Sequence, residues 1–331
     1  MRTSLRRIAV VAAVIAFPPL VSSPAVAAFP DQGNRILYAR VPAGAPTVLR
    51  GATSIDLFSI KNNGDARQRV TDSANLVEFG GHYSPDGSDV VFWAVSKASG
   101  YRVFTARADG SARTPLTSNP ASINPNWSRN GRKIVYVKHT GNAAPDLGGS
   151  LVPGRRGLAN TELMIMDADG TGKHSILTGE LYVPGWSPTE SLIAFTAPTK
   201  GGYGIWQIQP SGEGLTPVLD IPGTAVFADW SPDGKRMLYQ TQAPTKTLPQ
   251  GPIEPVEVWT VRKNGSDPQL LADDAAELTL LPRYSNDGER VIYVKLNKGN
   301  EELYSTRSDG SGGKKRLTET AAVEWLERLL A

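Results

Sequence analysis

One phrase, spelled five times, constrains this chain more than any other feature. It reads HYSPDGSDVVFW from His82, NWSRNGRKIVYV from Asn126, GWSPTESLIAFT from Gly185, DWSPDGKRMLYQ from Asp229 and RYSNDGERVIYV from Arg283. Each copy is a polar residue or glycine, an aromatic ring, a turn and a β-rich run. Ser-Pro-Asp-Gly suits a type I turn, because proline presets φ at its second position and glycine closes it. A second series falls between the copies, for example LFSIKNNGDARQRVT from Leu57 and LYSTRSDGSGGKKRLT from Leu303. These are alternating strands joined through a Gly-bearing turn, which is the signature of a hairpin. The unit is therefore four antiparallel strands, a to d, and recurrence at this period indicates a repeat architecture.

Counting strand types predicts how the units close. Strand b is expected at 35–41, 89–95, 133–139, 192–198, 236–242 and 290–296, and strands c and d also occur six times. Strand a occurs in the five phrases, and AAVEW at 321–325 supplies a sixth. The chain thus begins on strand b and ends on strand a, and an open array would leave both ends with bare strand edges. A ring removes them. The expected fold is all-β, a six-bladed β-propeller of four-stranded antiparallel blades, closed by a C-terminal strand that completes the N-terminal blade. On this reading Tyr83, Trp127, Trp186, Trp230, Tyr284 and Trp325 pack between neighbouring blades.

The WSPDG phrase and the DADG…LT hairpin resemble the TolB-like propeller repeats, and related repeats occur in prolyl oligopeptidase-type peptidases. The resemblance spans almost all of the chain after its leader and implies a propeller. It implies an envelope-protein partner by analogy only. TolB proteins carry an N-terminal domain before the propeller and the peptidases carry a hydrolase domain; neither is expected here. Locally, Thr189-Glu190 replaces the Asp-Gly of the third phrase, and Leu326-Glu327 interrupts the sixth.

Residues 1–28 read as a leader outside the fold, with MRTSLRR as basic region, IAVVAAVIAF as apolar core and Ala25-Val26-Ala27 as cleavage site. Cleavage after Ala28 fits nearly as well, and an uncleaved anchor is the alternative. Leu5 stands where a twin-arginine signal carries Ser or Thr, so the Sec route is expected. The remaining 29–331 form a single domain, secreted or periplasmic, monomeric and without an integral membrane segment. Of 35 Lys and Arg, three (Arg2, Arg6 and Arg7) lie in the leader, which leaves 32 against 32 Asp and Glu. That balance provides no electrostatic reason to expect a nucleic-acid partner. With no cysteine, disulfides, thiolate metal sites and cysteine catalysis are excluded.

Function is expected on loops and in the channel. Two b–c connections are long, 140–160 and 243–255, and a third, 42–54, is intermediate; connections of that length tend to be functional or disordered. Arg155 and Arg156 in the first suit a carboxylate or an acidic partner. The position before each blade aromatic is never apolar: His82, Asn126, Gly185, Asp229, Arg283 and Glu324. If strand a lines the channel, these form a polar ring and, with the long loops, a ligand-facing funnel. No nucleophile elbow, zinc-protease helix, P-loop or dinucleotide fingerprint occurs. The Asp-Gly turns lack the ligand spacing of a calcium loop, so no metal and no cofactor are expected. A two-histidine site between His82 and His139 is conceivable, whereas His174 falls on an outer strand. The acid pairs Asp273-Asp274 and Glu301-Glu302 read as solvated charge. The leading expectation is a non-enzymatic module binding a protein or peptide through its long-loop face. The alternative is an enzyme or small-molecule binder, for a carbohydrate or peptide, at the channel mouth.

Overall fold

The computed structural model describes residues 27–28, 35–40, 55–73, 75–96, 99–118, 121–140, 160–242, 246–248, 251–253, 256–272, 278–297 and 300–319. Every regular element among them is a β-strand. Four sheets hold four antiparallel strands each, side by side in chain order a-b-c-d, and two further sets in the same order, blades four and five, join through a short parallel pairing of Gly202 and Tyr203 with Gly223 and Thr224. Strand b is Arg35–Arg40, Asp89–Ser96, Lys133–His139, Ile193–Pro198, Arg236–Gln242 and Arg290–Asn297 in blades one to six. The b strands are near-continuous apolar runs, such as buried Val90, Val91, Phe92, Trp93 and Ala94. A strand buried on both faces keeps no polar side.

The turns explain the repeated phrase. Ser84 Oγ donates to Asp86 Oδ1 at 2.6 Å, the Ser88 amide donates to the same oxygen at 3.0 Å, and the Gly87 amide closes on Ser84 O at 2.8 Å. The aspartate therefore builds its turn, and the serine hydroxyl holds its pKa below the usual carboxylate range. Threonine of the LT signature has a parallel task. Thr71, Thr117 and Thr318 each accept, on Oγ1, the strand-c amide of Leu57, Val103 and Leu303.

Each inner strand a lies against the inner strands of both neighbouring blades, and the series returns from blade six to blade one. Ile292, Val294, Leu303 and Leu317 of blade six share one buried cluster with Ile36, Tyr38 and Ile60 of blade one. At the periphery, the c–d turn glycine of each blade rests on the outer strand of the blade before it: Gly110 on Val70, Gly170 on Leu116, Gly212 on Ile176, Gly265 on Val218 and Gly310 on Leu270. Gly64 of blade one sits in the same way on Leu317 of blade six, where a Cβ would lie 2.8 Å from the carbonyl oxygen. This is a β-propeller, and the packing is consistent with a closed ring of six blades.

Ala27–Ala28 pair with Leu37 and Ile36 along strand b of blade one, at the end of the stretch that the sequence reading assigns to the leader. The expected closing strand, 321–325, lies outside the described residues.

Candidate functional site

The inner strands share an irregularity that the sequence reading missed. In blades two to six, strand a carries one extra residue just before the ring position: between Phe79 and His82, Ile123 and Asn126, Tyr182 and Gly185, Phe227 and Asp229, and Leu280 and Arg283. Pro125, Pro184 and Pro282 occupy three of these bulges, where a strand needs no amide for its ladder. A bulge bends the strand and re-aims the next side chain. Glycine or proline ahead of the aromatic was the readable signal in four of these five blades, Ala228 standing there in the fifth.

The re-aimed side chains clasp neighbouring blades. His82 Nδ1 lies 3.2 Å from Asn126 Nδ2, and Asn126 Oδ1 accepts the Trp186 amide at 3.2 Å. Because that amide fixes Asn126, its Nδ2 donates to His82 Nδ1, which leaves the histidine proton on Nε2. Asp229 accepts the Trp230 amide at 2.9 Å on one oxygen and the Tyr284 amide at 2.9 Å on the other. Arg283 Nη1 donates to the carbonyls of Ala228 and Pro282. The aromatics work between blades as expected: Trp127 Nε1 donates to His82 O at 3.2 Å, and Trp230 Nε1 to Gly185 O at 3.1 Å. Gly185 has no room for a side chain, since a Cβ would meet Phe227 Cε1 at 2.7 Å.

Three of these groups are electrostatically perturbed. Arg283 and His82 are 6% and 9% exposed, while Asp229 and Asn126 keep partial contact with solvent. Burial pushes Asp229 up to about 6, with Arg283 opposing the rise. Burial holds His82 well below its usual range, and the Arg283 charge lowers it further. The folded carboxyl of Asp229 therefore binds its proton more tightly than the unfolded one, so its contribution to stability falls as pH rises from about 4 to about 6. Asp229→Asn should raise the melting temperature at pH 7.5, by an amount worth up to ~2 kcal/mol, and confer no gain at pH 4. Thermal melts at the two pH values check this; an equal effect at both would refute it.

The ring and the long loops do not form one funnel. Each ring residue sits one or two positions before its a–b turn, whereas the b–c connections leave from the opposite end of the blades. Asn126 pairs with Val135, and four more residues of strand b, at about 3.3 Å each, separate that level from the loop that begins at Thr140. The same spacing separates the ring from His139, which pairs with Thr161 at the loop end, so no two-histidine site with His82 is assembled. His174 is exposed on an outer strand, as expected. Glu302 departs from the solvated-charge reading: it is buried, accepting from Thr318 Oγ1 at 2.5 Å and Arg316 Nη2 at 2.9 Å. Strand pairing carries it into the blade, where two local donors offset its desolvation. Arg155, Arg156, Glu324 and Asp273-Asp274 lie outside the described residues. Within 243–255, Lys246–Leu248 and Gly251–Ile253 form a two-stranded hairpin where the sequence suggested only a loop. Among the described residues no group of three His, Cys, Asp or Glu could hold a metal ion. A cleft of 630 Å³ opens between the turns of blades five and six, but its Arg236 and Arg262 already share Asp267.

These features define a β-propeller whose inner strands carry polar side chains, His82, Asn126, Asp229 and Arg283, that hydrogen-bond at the junctions between blades. No family model matches the sequence. A TolB homolog of Chlorobium luteolum is 28% identical over 161 residues, covering 48% of this chain and 33% of that protein. The crystal structure of TolB from Acinetobacter baumannii superposes with a TM-score of 0.68 at 16% identity, covering 88% of this chain and 65% of TolB. An oligogalacturonate lyase solved with manganese superposes with a TM-score of 0.57 at 16% identity, covering 90% of this chain and 78% of the lyase. The protein therefore has a TolB-like β-propeller fold, one that enzymes also use. Its match spans only about a third of the curated relative.

Proposed function

We propose that this protein is an exported, non-enzymatic propeller that binds a protein or peptide through the face carrying its long b–c connections. The observation that carries this reading is the contrast between the two faces. On the short-turn side the turns are committed to one another: Lys263 to Glu190, Arg129 Nη1 to Thr189 O at 3.3 Å, and the glycines to the preceding blade. On the other side the backbone extends beyond the blade, as in the hairpin within 243–255. The propeller fold is compatible with an interaction role, and the leader-like residues 1–28 motivate export. No helix among the described residues is long and apolar enough to cross a membrane.

The test is crosslinking capture from envelope and secreted fractions. Intact protein is compared with a variant whose 140–160 and 243–255 connections are cut to short turns. A partner held by the intact protein and lost from the trimmed one is expected, and recovered mature protein should begin at Ala28 or Phe29. Capture indifferent to trimming would reject the loop face, and an uncleaved chain would reject the leader. The perturbed Asp229, His82 and Arg283 favour the second reading, a small-molecule binder or enzyme working in the channel.

A further inference from the structure

We infer that Arg283 is an anion-binding residue of the channel ring and that its ligand is a carboxylate at the end, or on a side chain, of a peptide. This inference rests on the reading of the protein as a peptide or protein binder. The argument begins with unspent hydrogen-bonding capacity. Arg283 is 6% exposed, yet among the described residues its hydrogen bonds go only from Nη1 to two main-chain carbonyls. Its Nε is buried and has no partner among the described residues. Two other arginines with largely covered side chains, Arg113 and Arg236, each meet a carboxylate, at 3.1 and 2.8 Å. A buried cation without a direct counter-ion is costly, and a ligand that supplies the missing charge recovers that cost.

The neighbouring groups narrow the ligand. Asp229 is the acidic group that acts on Arg283, but both its oxygens are taken by the amides of Trp230 and Tyr284. Nε, unpartnered among the described residues, lies on the guanidinium edge that can receive a planar carboxylate through two parallel hydrogen bonds. His82, protonated on Nε2, adds a neutral donor to the same ring. One negative charge completes this ring, whereas a dianion would face Asp229 at close quarters.

The probes are acetyl-Gly-Gly, acetyl-Gly-Gly-amide and acetyl-Asp-Gly-amide, titrated calorimetrically into the whole protein at pH 7.5 and constant ionic strength. Saturable one-site binding is expected for the free C-terminus or the aspartyl probe and absent for the uncharged amide, and the two acidic probes identify the source of the carboxylate. Arg283→Gln should weaken that binding at least ~10-fold, the effect of losing a charged hydrogen bond. Asp229→Asn, which removes the competing charge, should tighten it roughly 5-fold. The second variant preserves the test if the first fails to fold, which a thermal melt reports. Absence of saturable carboxylate binding, chloride or sulfate binding as tightly as the peptides, or no gain in Asp229→Asn would overturn the assignment. If capture by the long-loop face persists while these titrations fail, the interaction reading stands and only the Arg283 assignment falls.

Discussion

Gly110→Ala will destabilise the protein by about 3–4 kcal/mol, while Gly312→Ala will cost about 1 kcal/mol. Both glycines hold left-handed backbone, with φ of 84° and 90°. The conformational penalty for a Cβ is thus nearly the same, of order 1–2 kcal/mol. The surroundings differ. A Cβ on Gly110 would overlap the Val70 carbonyl oxygen in the outer strand of the preceding blade, whereas nothing lies within 4 Å of one on Gly312. Relief requires blades one and two to separate, and close-packed apolar interfaces yield little to such pressure. Equilibrium urea unfolding of the two variants isolates the blade contact. Equal losses would show that the glycine seat does not hold neighbouring blades together.

Glu78→Ala will cost about 3 kcal/mol, and Glu78→Gln about half as much. Glu78 is completely buried. Its carboxylate accepts from Thr71 Oγ1, from Ser73 Oγ at 2.6 Å and from Arg113 Nη1 at 3.1 Å. Ser73 also donates its amide to Asp56 at 2.9 Å, and Asp56 accepts from Arg69 at 2.6 Å. The network ties the outer strand of blade one to the inner strand of blade two. Alanine strands two buried hydroxyls and a guanidinium, whereas glutamine keeps an acceptor for some of them. Burial raises the Glu78 pKa despite these donors, so the carboxylate already bears a desolvation cost that glutamine avoids. Chemical denaturation of both variants, with Arg113→Met and the double variant as a cycle, measures the coupling. An alanine loss below that of glutamine would contradict the account.

Much of the architecture was readable because each unit obeys local rules. Ser-Pro-Asp-Gly turns, Gly-bearing c–d turns and β-rich runs fixed the six b strands to within a residue or two, as Asp89–Ser96 against the expected 89–95 shows. The polar position before each aromatic was visible too. Its surroundings were not: the bulge ahead of Asp229, the amides of Trp230 and Tyr284 on its carboxylate, and the burial of Arg283 involve partners up to 55 residues apart. Glu302 was misread for the same reason. Its partners Arg316 and Thr318 are fourteen and sixteen residues away along the chain, across a hairpin whose register the sequence does not state.

By itself, then, the sequence determined a repeating four-stranded unit, because turn chemistry and strand alternation act over a few residues. Only the tertiary structure decided which end of the blades holds these polar groups and what each of them is bonded to. Those outcomes depend on bulges, on contacts between successive blades and on desolvation, and all three are properties of the assembled ring.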